Sequence, residues 1–256
     1  MPKIAEILGP SGVGKSHFYN SLQKIWHENY TWVPYHDFRH KRNRSKKTLP
    51  DTARSIVTKI ITGLERIDYL STDDKCLANQ KKFYYKYPDF VSTVYNIIEA
   101  CCKGNTSETD KRFEAILYFM RTTEQYQAVI QKEEDKRLCI LYEGFLNRIM
   151  HLNFGTFTDD HLKQYVFNMP KPDAVIYLKA SPEYVVKNTK KRVRVASVHN
   201  GMSKEEIFRY TEQTQKHMKT AISYLKESGV HVQVVDAERD VDEMTPEVLT
   251  FLNSIS

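Results

Sequence analysis

The stretch Lys3-Ile4-Ala5-Glu6-Ile7-Leu8-Gly9-Pro10-Ser11-Gly12-Val13-Gly14-Lys15-Ser16-His17 sets the fold of this chain. Lys3 to Leu8 is a short apolar run holding Ile4, Ile7 and Leu8, and it stops at Gly9, as a buried strand does. The run that follows has the spacing Gly-x-x-x-x-Gly-Lys-Ser. Glycines let backbone N–H groups curl around phosphate oxygens, Lys15 neutralises β/γ charge, and the Ser16 hydroxyl is placed to ligate Mg²⁺. A helix beginning near Gly14 adds its positive end to the same anion site. Gly9, Pro10, Ser11, Gly12, Val13, Gly14, Lys15, Ser16 and His17 are therefore the candidate residues for a nucleoside triphosphate.

Outward from this loop, strand and helix patterns alternate. Ser16 to Trp26 puts Phe18, Leu22, Ile25 and Trp26 on one helical face, and Thr31 to Tyr35 is β-rich. Helical spacing is expected at Thr52 to Ile67, Phe90 to Cys102 and Lys111 to Glu134. Leu138 to Tyr142 and Ala174 to Leu178 are unbroken apolar runs of the kind that form central parallel strands. Ser181 and Pro182 read as an N-cap and first helical residue. A helix over Lys204 to Glu227 stops at Gly229, and Val230 to Val235 reads as a last strand. The expected fold is α/β: a doubly wound, parallel five-stranded sheet with the phosphate loop after its first strand. One domain would span residues 1–256, with a helical segment at 52–135 near the acceptor site and a lid at 187–203.

Composition excludes other classes. The 256 residues are 41% hydrophobic and 27% charged, as in an ordinary globular protein. No apolar stretch approaches the ~20 residues that span a bilayer, and the N-terminus lacks the pattern of a secretory leader. A cytoplasmic protein with no membrane partner is expected. Cys76, Cys101, Cys102 and Cys139 match no zinc spacing and are expected as reduced thiols. The net charge of +6 is densest at Arg39-His40-Lys41-Arg42-Asn43-Arg44-Ser45-Lys46-Lys47. Such a cluster suits a phosphate-bearing acceptor or a nucleic-acid end, or is a solvated loop. The patch Phe83-Tyr84-Tyr85-Lys86-Tyr87 either stacks on a base or packs a helical cap.

Two carboxylates stand where ligands bind in such sheets, beyond the carboxyl ends of strands. Glu143 follows the third strand and is a candidate catalytic group and metal ligand. Asp37 follows the second, where it either takes a proton from an acceptor hydroxyl or caps its loop. The chain has no Asn-Lys-x-Asp guanine-reading run, which argues against a GTPase.

In this order of motifs the chain resembles the deoxynucleoside kinase and thymidylate kinase group. Beyond the phosphate loop, three stretches carry the likeness. Ile116 to Arg121 looks like the helix whose arginine faces the acceptor base. Tyr142-Glu143-Gly144-Phe145-Leu146-Asn147-Arg148 looks like the strand-three motif with its acid. Lys187 to Arg194 resembles an arginine-bearing lid, giving Arg192 and Arg194. The chain departs from the group at Gly144, where nucleoside kinases carry arginine, and at Tyr35-His36-Asp37-Phe38, where the group has Glu-Pro. The resemblance implies ATP-dependent phosphoryl transfer, with Mg²⁺, to a small-molecule acceptor such as a nucleoside or nucleotide. Lys15, Asp37, Glu143, Arg192 and Arg194 would be catalytic; Arg121 and Arg39 would hold the substrate. A polynucleotide-end kinase and a nucleotide-binding regulatory ATPase are the alternatives, a nucleic-acid partner is not favoured, and a homodimer is left open.

Overall fold

Apolar runs without polar alternation must be covered on both faces, and the three longest in this chain lie side by side. The computed structural model describes residues 2–39, 73–101, 106–152, 156–191, 199 and 201–255. Strand β1 (Lys3–Leu8) leads through the phosphate loop into α1 (Lys15–Ile25), followed by β2 (Trp32–Pro34) and the short α2 (Tyr35–Arg39). Helices α3 (Asp73–Lys86), α4 (Pro88–Cys101) and α5 (Thr106–Ile130) precede β3 (Leu138–Leu141). Next come α6 (Phe145–Leu152), α7 (Asp159–Asn168) and β4 (Ala174–Lys179). The chain then forms α8 (Pro182–Lys190), α9 (Lys204–Glu227), β5 (His231–Asp236) and α10 (Val241–Ile255).

The strands form one five-stranded sheet in the order β2-β3-β1-β4-β5, and every pairing is parallel. Ala5 of β1 sits opposite Ile140 of β3 and Ala174 of β4, so the centre of the sheet is a layer of small and branched side chains. Burial follows the order: Ile7, Leu8, Ile140 and Ile176 are fully buried, whereas Val234 on the β5 edge is exposed. This is the doubly wound sheet expected from the alternation of runs. From β1 the chain moves toward β2, whereas from β3 it moves the other way, toward β4. Adjacent strands β1 and β3 thus diverge at their carboxyl ends and open a crevice between them. No described helix is long and apolar enough to cross a membrane.

Several boundaries differ from expectation. The second strand ends at Pro34, because Tyr35 already begins α2. The long helix starts at Thr106 and ends at Ile130. The helix expected at Thr52 to Ile67 lies outside the described residues. Of the two readings of the aromatic patch, packing is the one the structure shows. Phe83 is fully buried, with its ring 5.3 Å from Phe145 and 4.8 Å from Tyr87, while Tyr85 is exposed. Phe145 also meets Phe90 at 5.0 Å, Phe119 at 6.0 Å and Tyr126 at 4.4 Å. One ring at the start of α6 therefore anchors the three described helices before β3 to the sheet.

Candidate active site

The phosphate loop holds two glycines at positive φ, Gly12 at 100° and Gly14 at 107°. At Gly12 a Cβ would also fall 2.5 Å from Thr189 Oγ1, so α8 packs directly on the loop. Gly14 caps α1 without a side-chain hydrogen bond, and no acid stands in the first turn. The first N–H groups of α1 thus face the loop without a cap from the residue before them and without an acid in their own turn, an arrangement that suits an anion. Lys15 is 4% exposed, and its Nζ donates to the carbonyls of Gly9 at 2.7 Å and Pro10 at 3.2 Å. The lysine is held against the loop where it would meet phosphate oxygens. The Ser16 hydroxyl lies 2.7 Å from that of Tyr142, at the end of β3.

The turn after β3 is fixed by β1. Glu6, fully buried in the central strand, accepts from the N–H of Phe145 at 3.1 Å, the N–H of Leu146 at 2.9 Å and the Tyr126 hydroxyl. It acts as the N-terminal cap that α6 lacks in its own sequence. Burial pushes the Glu6 carboxyl up, against the opposing pull of these donors and of Arg148. Asn147 Nδ2 donates to the Ile7 carbonyl at 2.6 Å, tying the same turn to β1 again. Room for this arrangement exists because residue 144 is glycine: a Cβ there would lie 2.0 Å from Glu6 Cδ. The departure from the group's Glu-Arg pair thus has a steric cause.

With the turn locked, Glu143 and Arg148 face each other. Arg148 Nη2 donates to Glu143 Oε2 at 3.0 Å and to the Glu143 carbonyl at 3.3 Å. Burial raises the Glu143 carboxyl, but the charges of Arg148 and Lys15 outweigh it and hold it below the ordinary glutamate range. Arg148 lies 5.3 Å from the centre of the Tyr118 ring, which stacks on His151 at 4.2 Å. Burial, then the charge of Arg148, pushes the His151 imidazole down to about 3, so it is neutral at physiological pH.

A cavity of about 410 Å³ opens between α2, α5 and the end of β3. Its walls include Glu143, Arg148, Arg39, Arg121, Tyr142 and Tyr118. Arg39 reaches Glu124 at 3.5 Å. Sequence-predicted Glu143, Arg39 and Arg121 are thus brought to one cavity, which meets the phosphate loop at the Tyr142–Ser16 contact. Asp37 is placed differently: it is buried in α2, its Oδ2 accepts from Gln23 Nε2 of α1 at 3.1 Å, and it does not line the cavity. Arg192, Arg194 and the basic run from His40 to Lys47 lie outside the described residues. Sequence reasoning missed Glu6, Tyr142, Tyr118 and Arg148. A signal existed for Glu6, a lone carboxylate inside an apolar central strand that needs buried donors.

Ser16 and Glu143 offer a hydroxyl and an ionised carboxylate, hard oxygen donors that suit Mg²⁺. Among the described residues no group of three or more His, Cys, Asp or Glu is placed to hold a metal.

Strand order and phosphate loop together define a P-loop kinase-like α/β fold. No protein-family model and no curated protein matches the chain. Among solved structures, the chain is similar to deoxyadenosine kinase from M. mycoides with products dCMP and a flexible dCDP bound. The identity is 18%, the TM-score 0.44, and the match covers 99% of this chain and 100% of that one. A second structure of that kinase, with dATP bound, is 16% identical at a TM-score of 0.46, covering 98% and 99% of the two chains.

Proposed function

We propose that this protein transfers a phosphoryl group from ATP to a small-molecule acceptor, a nucleoside, nucleotide or related compound. One observation carries it: a phosphate loop lies beside a separate 410 Å³ cavity, linked to it by Tyr142, which lines the cavity and touches Ser16 at 2.7 Å. A nucleotide-dependent switch needs the first of these sites but not the second.

In this reading the loop amides and Lys15 hold the triphosphate tail. Ser16 and Glu143 would hold Mg²⁺, which when bound neutralises charge on the phosphate oxygens. Phosphoryl transfer passes through a loose transition state, so positioning and charge stabilisation do most of the work. The burial of Lys15 and the confinement of the cavity serve both. Arg121 and Arg39 orient the acceptor. Glu143 is the carboxylate at the cavity wall and, being ionised, can accept a hydroxyl proton or coordinate the metal. Arg192 and Arg194 would close over the transferring group from the lid.

Replacing Lys15 with alanine is expected to reduce product formation by about a thousandfold, because a fixed charge opposite the developing negative charge is lost. The assay follows ADP release with a panel of nucleosides and nucleotides, beside a circular dichroism spectrum that reports the fold. Wild-type turnover in a folded Lys15→Ala variant would remove the loop from the reaction.

A further inference from the structure

The guanidinium of Arg148 has donors that no group among the described residues uses. The residue is 6% exposed, and Nη2 makes its hydrogen bonds, both to Glu143. Nε and Nη1 are buried without a partner. A buried donor left unmet costs free energy, and native structures rarely tolerate two on one charged group unless a ligand or bound water completes them. Arg148 lines the cavity, and two further arginines, Arg39 from α2 and Arg121 from α5, line it as well. Three arginines line the cavity with one lining carboxylate, Glu143; Arg39 also reaches Glu124 at 3.5 Å, which leaves Arg148 and Arg121 as the cations turned to the cavity. The Tyr118 ring lies 5.3 Å from the Arg148 guanidinium and 6.0 Å from that of Arg121, so one aromatic face gathers two of the cations. Arg121 is exposed and has no carboxylate in ion-pair range among the described residues.

We infer that the cavity is built for an acceptor that already carries a phosphomonoester, with Arg148 and Arg121 gripping that phosphate and Arg148 fixing it beside Glu143. The inference rests on the phosphoryl-transfer reading and narrows its acceptor. A guanidinium can give one edge to a carboxylate and another to a phosphate, and its planar fork matches both. The stock of bases points the same way. Asp37 is turned to Gln23, and the Glu143 carboxylate is already engaged by Arg148 Nη2 at 3.0 Å. A hydroxyl acceptor must lose a proton. A phosphomonoester is already largely a dianion near neutral pH, since its second pKa is about 6. In the reaction the bond from the γ-phosphorus to its bridging oxygen breaks and a bond to an acceptor phosphate oxygen forms. The products are ADP and the acceptor diphosphate, and no proton need be abstracted.

The test is calorimetric and needs no turnover. The phosphate loop is first saturated with Mg²⁺ and a non-hydrolysable ATP analogue, so that it cannot take phosphate itself. Matched pairs, thymidine with thymidine monophosphate and deoxyadenosine with its monophosphate, are then titrated, and inorganic phosphate after them. At least one monophosphate should bind about tenfold or more tighter than its nucleoside, the worth of a charge-assisted contact. In Arg148→Gln that preference should fall to within about threefold while the heat of analogue binding persists. Should Arg148→Gln fail to fold, the exposed Arg121→Gln is expected to narrow the same preference. Nucleosides binding as tightly as their monophosphates, silence from phosphate and every monophosphate, or an undiminished preference in a folded Arg148→Gln would each overturn the inference. Those results with normal analogue binding would leave phosphoryl transfer standing. No heat from the analogue would bring down both.

Discussion

At residue 144 the identity of one side chain depends on another far away in sequence. A Cβ on Gly144 would lie 2.0 Å from Glu6 Cδ and 2.4 Å from each carboxylate oxygen. Glu6 cannot step aside, because the N–H groups of Phe145 and Leu146 and the Tyr126 hydroxyl all hold it. Gly144→Ala is therefore expected to cost about 3 kcal/mol, an overpacking penalty added to disturbed buried hydrogen bonds. Adding Glu6→Ala should cost far less in that background than alone, since the clash is gone once the carboxylate is removed. Urea unfolding of the four proteins of this cycle gives both numbers. Additive losses would show that the two residues do not share the space. The sequence displays the glycine, and even its departure from a Glu-Arg pair, but not the reason. Strand residue and turn residue meet only after β3 has been laid beside β1.

The same contrast governs whole elements. Helices whose start signals are local were legible: Ser181 with Pro182 opens α8, and α9 runs from Lys204 to Glu227 as its pattern implied. Helix α6 was not, because Phe145-Leu146-Asn147-Arg148 offers no capping side chain and its cap comes from Glu6 in β1. Helix α7 carries a local signal in its sequence, a box in which Thr158 accepts from the N–H of His161 and His161 accepts from that of Thr158. Helix α10 was obscured by Pro246, which is tolerated inside it. For α9 the cap is the box of Ser203 and Glu206, where the serine oxygen accepts from the Glu206 N–H at 3.2 Å and the glutamate accepts from the Ser203 N–H at 2.7 Å. Ser203→Ala should lower stability by about 1 kcal/mol, and Ser203→Asp should restore most of it, since either oxygen can accept that bond. Thermal unfolding of the pair decides it; equal midpoints for alanine and wild type would mean that packing alone fixes this end. The phosphate loop was the most legible element because its chemistry is contained in eight consecutive residues. The cavity was the least, since Arg39, Arg121 and Arg148 come from three helices and converge only in the fold.

Across the whole molecule the site and the stability draw on the same charges, and acid exposes the link. His151 sits half-buried on the Tyr118 ring, near the positive charges of Arg148 and Lys15 and the negative charge of Glu143. Its folded-state pKa of about 3 lies below the unfolded value, near 6.5. Between these values the unfolded chain binds a proton that the folded chain refuses, so stability must fall as pH falls from about 6.5 toward 3. The slope from this one group is at most about 1.4 kcal/mol per pH unit. Buried His217, also held low by desolvation, adds in the same sense. Glu143, held below the ordinary carboxylate range, adds stability that is lost only at lower pH, as its folded value is crossed. Glu6 and Glu124 act oppositely: burial raises both, so the folded chain takes up their protons first and gains stability as pH falls through the raised values. The raw curve is thus a sum of opposing contributions, and only a difference isolates His151. His151→Phe keeps an aromatic ring against Tyr118 but cannot titrate. It should match the wild type to within about 1 kcal/mol near neutral pH and exceed its stability by about 1–2 kcal/mol near pH 5, once half-burial is allowed for. Urea midpoints measured for both proteins at the two pH values test this directly, because His217, Glu6 and Glu124 are common to both and cancel, while Glu143, held low, stays ionised at both values. Parallel curves would mean that His151 takes up its proton in the folded state as readily as in the unfolded one, so that neither its burial nor the charges of Arg148 and Lys15 hold it down.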